Sequence, residues 1–210
     1  MRPVAIVPAA GASRRMGRPK PLLPWGDGTV VGSLVAALAA GGVAEVVLVV
    51  APGDAELAAW GRREGLRVAV NPHPEEGMLS TVLAGLAALG GPDALAAAGR
   101  PLLVTPADLP ALSPATVAAV LAALAGGAPL AVPAHAGRRG HPLGIAPGRV
   151  PEIPGLDPAV GLRQLVERGG DGVVEVPVDD PGAVGDLDTP EDYRRATGRG
   201  RAPGRRIGGP

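Results

Sequence analysis

The stretch Val4–Pro24, VAIVPAAGASRRMGRPKPLLP, decides how the rest of the chain is read. It starts as a short apolar run, Val4 to Val7, of the kind that forms a buried strand. It then breaks into Gly11, Ser13, Arg14, Arg15, Gly17 and Lys20. A strand feeding a glycine loop loaded with cations suits a polyphosphate: glycines let backbone N–H groups approach phosphate oxygens, and Arg and Lys neutralise the charge. Two other phosphate loops fail on spacing. The P-loop needs four residues between its glycines and then Lys and Ser or Thr, whereas five residues separate Gly11 from Gly17 and Arg18-Pro19 follow. The dinucleotide fingerprint needs Gly at 13 and 16, where Ser13 and Met16 stand.

Working outward, strand and helix signals alternate. Val30 to Ala40 reads as a helix stopped by Gly41-Gly42, and Glu45 to Val50 as a buried strand. Helices are expected over 54–63, 77–89, 113–124, 158–168 and 190–196, and strands over 67–70, 101–105, 129–132 and 173–176. Ser113 is a good N-cap with Pro114 behind it. This alternation predicts an α/β fold, a mainly parallel sheet with helices on both faces. Ligands then bind at the carboxyl ends of strands, so the loops after Val7, Val70, Thr105 and Val132 should share one cleft.

Composition narrows the chemistry. The chain of 210 residues carries a formal net charge of zero, which gives no global field toward nucleic acid or membrane. It has no cysteine, which excludes disulfides, thiolate zinc sites and a cysteine nucleophile. With two Trp, one Tyr and no Phe, the core must be built from Ala, Leu and Val. The start of the chain imitates a secretion signal, but its apolar part is short and Pro8 interrupts it. No run approaches the roughly 20 apolar residues of a membrane span. The expectation is a cytoplasmic protein with a single domain over residues 1–196, followed by a disordered Arg/Gly/Pro-rich tail over 197–210.

Four further segments carry chemistry. Thr105-Pro106-Ala107-Asp108-Leu109-Pro110 places Asp108 just past a strand end, suited to hold a divalent cation, although Asp-x-Pro also makes ordinary turns. In Gly185-Asp186-Leu187-Asp188-Thr189-Pro190-Glu191-Asp192, Thr189 and Asp192 read as a capping box, which leaves Asp186 and Asp188 unexplained. Asn71 and Gly77-Met78-x-Ser80 lie between a strand and a helix, where amides and a hydroxyl suit a nucleobase edge; Ser80 packing in the first turn is the plainer alternative. Arg138-Arg139-Gly140-His141-Pro142 follows the strand ending at Val132. A lone loop histidine is often incidental, and neither His73 nor His135 completes a catalytic set with it.

The chain resembles the nucleotidyltransferases built like the molybdenum-cofactor cytidylyltransferases. The resemblance is carried by Ala9-Ala10-Gly11-x-Ser13-x-Arg15-Met16-Gly17-x-x-Lys20 with Leu22-Leu23-Pro24-Trp25, and it extends from Val4 to about Ala196, dense at four motifs and thin between them. It implies a three-layer α/β/α Rossmann-like nucleotidyltransferase fold with a mainly parallel mixed sheet. It implies Lys20, Arg15 and Asp108 as catalytic, with nucleotide held by Ala9, Ala10, Gly11, Ala12, Ser13, Arg15, Lys20, Asn71, Gly77, Ser80 and Asp108. Asp108 is the implied Mg²⁺ ligand and, by analogy, Asp188 a second one; Gly140, His141 and Pro142 match the segment beside the acceptor. Ala-Ala-Gly in the first loop goes with CTP in this family and Ala-Gly-Gly with GTP. The implied reaction is transfer of CMP from CTP to the molybdopterin phosphate with release of pyrophosphate.

Other readings stay open. A methylerythritol-phosphate cytidylyltransferase fits the opening Pro8-Ala9-Ala10-Gly11 but usually has His-Asp-x-x-Arg-Pro where Pro-Ala-Asp-Leu-Pro stands here. Sugar-phosphate nucleotidyltransferases share the Pro19-Lys20-Pro21 type of sequence but are generally longer. Some members of the family are described as oxidoreductases. A nucleotide-binding chaperone for a molybdoenzyme, without catalysis, is a further reading. The expected partners are a nucleoside triphosphate, CTP favoured, a phosphorylated small acceptor and a molybdoenzyme or its chaperone, with neither nucleic acid nor membrane, in a monomer or homodimer.

Overall fold

The apolar run that opens the chain becomes the middle of a sheet. The computed structural model describes residues 2–11, 20–187 and 189–197. In chain order, β1 (Val4–Pro8) precedes a short hairpin, β2 (Pro24–Trp25) and β3 (Gly28–Thr29), then α1 (Val30–Ala40), β4 (Glu45–Val50), α2 (Ala55–Arg63) and β5 (Arg67–Val70). There follow α3 (Met78–Ala88), α4 (Pro92–Ala97), β6 (Leu102–Val104), α5 (Pro114–Ala125), β7 (Leu130–His135), β8 (Arg138–Arg139) and β9 (Leu143–Ile145). The last elements are α6 (Arg163–Gly169), β10 (Val173–Pro177) and α7 (Pro190–Ala196).

The main sheet runs β10-β7-β9-β6-β1-β4-β5, with β8 hooked onto β7. β1 pairs in parallel with β4 and β6, β4 with β5, and β7 with β10. β9 is antiparallel to both β6 and β7, which makes the sheet mixed.

Period-two alternation divides the strands between two cores. Ala5, Val7, Leu48 and Val50 face one side and pack with Leu34 and Leu38 of α1, Leu57 of α2, and Val117 and Val120 of α5. Val4, Ile6, Val47 and Val49 face the other and meet Leu79, Val82 and Leu86 of α3, Leu95 of α4 and Leu165 of α6. Each fully buried Leu or Ile contributes about 1.5–3 kcal/mol of transfer free energy, and this doubly covered sheet is the three-layer arrangement of a mainly parallel α/β fold. No helix among the described residues is long and apolar enough to cross a membrane.

The helix starts follow local chemistry. Thr29 caps α1 by accepting from the Gly32 amide, and Ser113 caps α5 by accepting from Ala115. Five features differ from expectation. The hairpins β2–β3 and β7–β8 and the strand β9 appear, α4 forms after Gly91, and the helix expected over 158–168 begins only at Arg163. Asp157 accounts for the late start: its carboxylate accepts from Ala159 N and its carbonyl from Val160 N and Gly161 N, so residues 157–161 are spent on turns.

Candidate active site

The carboxyl ends of β1 and β6 lie side by side and open into a cleft of about 350 Å³. On the β1 side, Ala9 N donates to Val49 O at 2.8 Å, so the chain keeps strand-like pairing to the lip. Pro8, Ala9, Ala10 and Gly11 line the wall, with Ala10 only 4% exposed. Residues 12–19 lie outside the described residues, and with them the expected roles of Ala12, Ser13 and Arg15. The chain is described again at Lys20, in the single turn Lys20–Leu22.

From the β6 side, Thr105 N donates to Ile6 O, and the proline-bounded turn that follows carries Asp108 inward. Lys20 Nζ sits 2.9 Å from Asp108 Oδ2, an ion pair across 88 positions, with side-chain exposures of 13% and 22%. Asp108 Oδ1 is buried and has no hydrogen-bond partner among the described residues; Thr105 Oγ1 is in the same condition. A buried acceptor without a donor is costly unless something arrives to use it. A carboxylate oxygen, hard and anionic, is the donor that Mg²⁺ or Mn²⁺ takes, so Asp108 fits a divalent ion. No group of three or more acidic or His side chains among the described residues surrounds it. A cation there would lean on substrate oxygens and water, or on Asp188, which lies outside the described residues.

The opposite wall comes from Pro74, Gly77, Met78 and Thr81. Gly77 has φ +93°, a left-handed conformation that turns the chain into α3. Met78 is 51% exposed at the rim. Asn71 is placed behind this wall rather than in the cleft: it is 2% exposed, its amide donates to Ser80 Oγ and Thr81 Oγ1, and its carbonyl accepts from His73 N. Ser80 Oγ is engaged with His73 O and Gly77 O. These groups shape the 71–77 loop, leaving its backbone, Pro74 and Met78 to face a ligand. Pro74, Pro106 and Ala107 were not singled out from the sequence; only their nearness to strand ends marks them.

The segment Gly140-His141-Pro142 lies on the flank of Asp108. His141 N donates to Ala183 O and Gly140 N to Pro133 O, each at 2.8 Å. A Cβ at Gly140 would fall 2.2 Å from Ala183 O, so only glycine fits. His141 exposes part of its surface, yet the protein packed round its ring disfavours the imidazolium and holds its pKa below the usual histidine value. Asp108, Asp186 and the Val104 backbone pull the other way.

Asp180, unremarked in the sequence, underlies this flank. It is 6% exposed and accepts from Ser113 N, Thr116 Oγ1 and Gly182 N at 2.9, 2.6 and 2.9 Å, tying α5 to the turn that carries Ala183. Leu187 N then donates to Asp108 O at 3.2 Å, which brings the Asp186 segment beside the Asp108 turn. Thr189 and Asp192 form the expected capping box of α7. The Thr189 hydrogen bonds hold the Asp192 carboxyl below the usual range, and the charges of Arg195 and Lys20 add to this. Tyr193 Oη donates to Pro24 O, fastening α7 to the segment that follows Lys20.

An ion pair beside the carboxyl ends of adjacent parallel strands and a glycine at the start of the first loop suit group transfer from a nucleotide. Known proteins agree. Residues 5–173 match the MobA-like NTP transferase domain. The nicotine blue oxidoreductase of Paenarthrobacter nicotinovorans is 34% identical over 156 residues, 70% of this chain and 72% of that protein. The crystal structure of Rv0371c from Mycobacterium tuberculosis H37Rv superposes with a TM-score of 0.77 at 26% identity, covering 94% of this chain and 99% of that one. A nucleotidyl transferase from Methanothermobacter thermautotroptrophicus gives 0.74 at 25% identity, covering 93% and 96%. The chain belongs to the MobA-like NTP transferase family and is a nucleotidyltransferase.

Proposed function

We propose that the protein transfers CMP from CTP to the phosphate of molybdopterin and releases pyrophosphate. The observation that carries this reading is the Lys20–Asp108 pair at one cleft, with Asp108 Oδ1 buried and unpartnered. An acceptor phosphate oxygen attacks the α-phosphorus of the nucleotide, and the bond from that phosphorus to the oxygen bridging to the β-phosphate breaks. The backbone of Ala10 to Ser13, with Arg15, holds the β- and γ-phosphates. Lys20 neutralises the charge that builds on departing pyrophosphate. Asp108, with Asp188, would hold a magnesium ion, which when bound offsets phosphate charge and aligns the two substrates. Gly140, His141 and Pro142 hold the acceptor. Catalysis is then positioning and electrostatics, without a covalent intermediate.

The choice of CTP rests on Ala10. Ala10 lines the cleft at 4% exposure, and on this reading its side chain takes up room that a purine would need. The divalent cation has support from a manganese complex of Rv0371c, a structure 24% identical that shares the fold. The deciding experiment incubates the protein with each of the four nucleoside triphosphates and molybdopterin, methylerythritol phosphate or sugar phosphates, and follows pyrophosphate. Release with CTP and molybdopterin is expected; release with GTP, or with another acceptor, replaces that part of the reading. Thermal-shift titrations with Mg-CTP and Mg-GTP test the base separately.

A second reading follows from the nicotine blue oxidoreductase relative: oxidoreduction of nicotine blue. A change in the absorbance of nicotine blue without pyrophosphate release would favour it.

A further inference from the structure

The ion pair that marks the site also closes it. In the free protein the Lys20 ammonium lies on Asp108 Oδ2, the carboxylate that the proposed function gives to the metal. Solvent reaches little of either side chain, so charges there are weakly screened. An ammonium and a divalent cation on one carboxylate repel each other strongly in such a place. The same ammonium is a natural partner for a triphosphate.

We infer that Lys20 is a built-in counter-ion for Asp108 that keeps divalent metal out of the free protein, and that nucleotide binding draws Lys20 onto phosphate and opens the carboxylate. Metal and nucleotide then enter as a coupled pair. Each raises the affinity for the other by the same factor, because coupling free energy is reciprocal. Asp108 Oδ1, buried and unpartnered, fits this: a single ammonium on Oδ2 leaves half the carboxylate unused, and a metal with substrate oxygens uses both halves. The device rests on the nucleotidyltransferase reading of the cleft.

The test uses the full chain freed of metal by chelation, with Mn²⁺ alone as probe, free Mn²⁺ being followed by electron paramagnetic resonance. The native protein should bind Mn²⁺ weakly. K20Q keeps a hydrogen-bond donor toward Asp108 but removes the cation, and should tighten Mn²⁺ about tenfold, within the usual span of coupling between sites. K20M should do the same, and circular dichroism checks that either variant folds. K20R, which keeps the charge, should stay near native, and the double variant K20Q/D108N should lose the gain. Equal affinity in native and K20Q protein overturns the counter-ion role, as does a gain that survives D108N. If triphosphates stabilise the native protein but the K20Q gain is missing, the counter-ion role alone falls. If the gain appears and no triphosphate stabilises the native protein, the reading of the cleft falls and the coupling with it.

Discussion

Two ion clusters sit at opposite ends of the same sheet, and they are built differently. At the amino ends of the strands, Glu45 gives one oxygen to Arg67 at 2.8 Å and the other to Arg100 at 2.7 Å. The two arginines are themselves occupied with Ala88 O and Arg2 O. The cluster uses both carboxylate oxygens and joins β4 to β5 and to the approach to β6. At the carboxyl ends, Asp108 uses one oxygen on Lys20 and buries the other without a partner among the described residues. A saturated carboxylate holds structure together; a half-used buried one is held ready for something that arrives.

The largest effect expected from this contrast is on turnover. Asp108→Asn should cut pyrophosphate release roughly a thousandfold, about 4 kcal/mol at the transition state, with little change in melting temperature. Near-native turnover would erase the distinction between the two ends. Asn71 offers a sharper trial, because it adjoins the cleft but is saturated. Asn71→Ala removes three hydrogen bonds and should lower stability by about 3 kcal/mol in urea unfolding. A variant of native stability that has lost CTP affinity would show that a saturated group can still be a binding group.

At the other end, Glu45→Ala should cost about 1–2 kcal/mol of stability, held down by solvent around Arg67, and leave turnover unchanged. The hydrogen bond from Arg100, with help from Arg67, lowers the Glu45 pKa against the opposing effect of burial. The unfolded chain therefore binds more protons in acid than the folded one. The contribution of Glu45 is fully present above the ordinary glutamate pKa of about 4.3, and is lost as pH falls through the lower folded value. Urea midpoints from about pH 6 to about pH 3 should fall more steeply for native protein than for Glu45→Gln; parallel profiles would remove Glu45 from the account. Smallest of all, Tyr193→Phe should cost about 1 kcal/mol or less, read as a small shift in melting temperature.

The strands of the parallel half were legible because each is a short apolar run between glycines and prolines, as in EVVLVV over 45–50. The antiparallel insert was not. β9 has only Leu143-Gly144-Ile145, and Gly144 shows no apolar signal because a side chain there would collide with Val120. The hairpin from β7 to β8 turns on Ala136-Gly137, at φ +48° and +76°, without the Asn-Gly pair that usually announces such a turn. At the site, Lys20 and Asp108 could be paired from motif chemistry alone, Lys20 as the last cation of the first glycine motif and Asp108 as the acid just past β6. Asp180 could not, because its partners Ser113 and Thr116 stand more than 60 positions away and are joined to it only by packing.

That antiparallel insert has an evolutionary consequence. β9 slots between β6 and β7, so the connection bearing Gly140, His141 and Pro142 returns to the Asp108 end of the sheet as an excursion of its own. Bends of this kind tolerate lengthening and shortening at little cost to the elements they join. On the proposed function, a change of acceptor needs edits only in this excursion, leaving the β1 half of the sheet untouched.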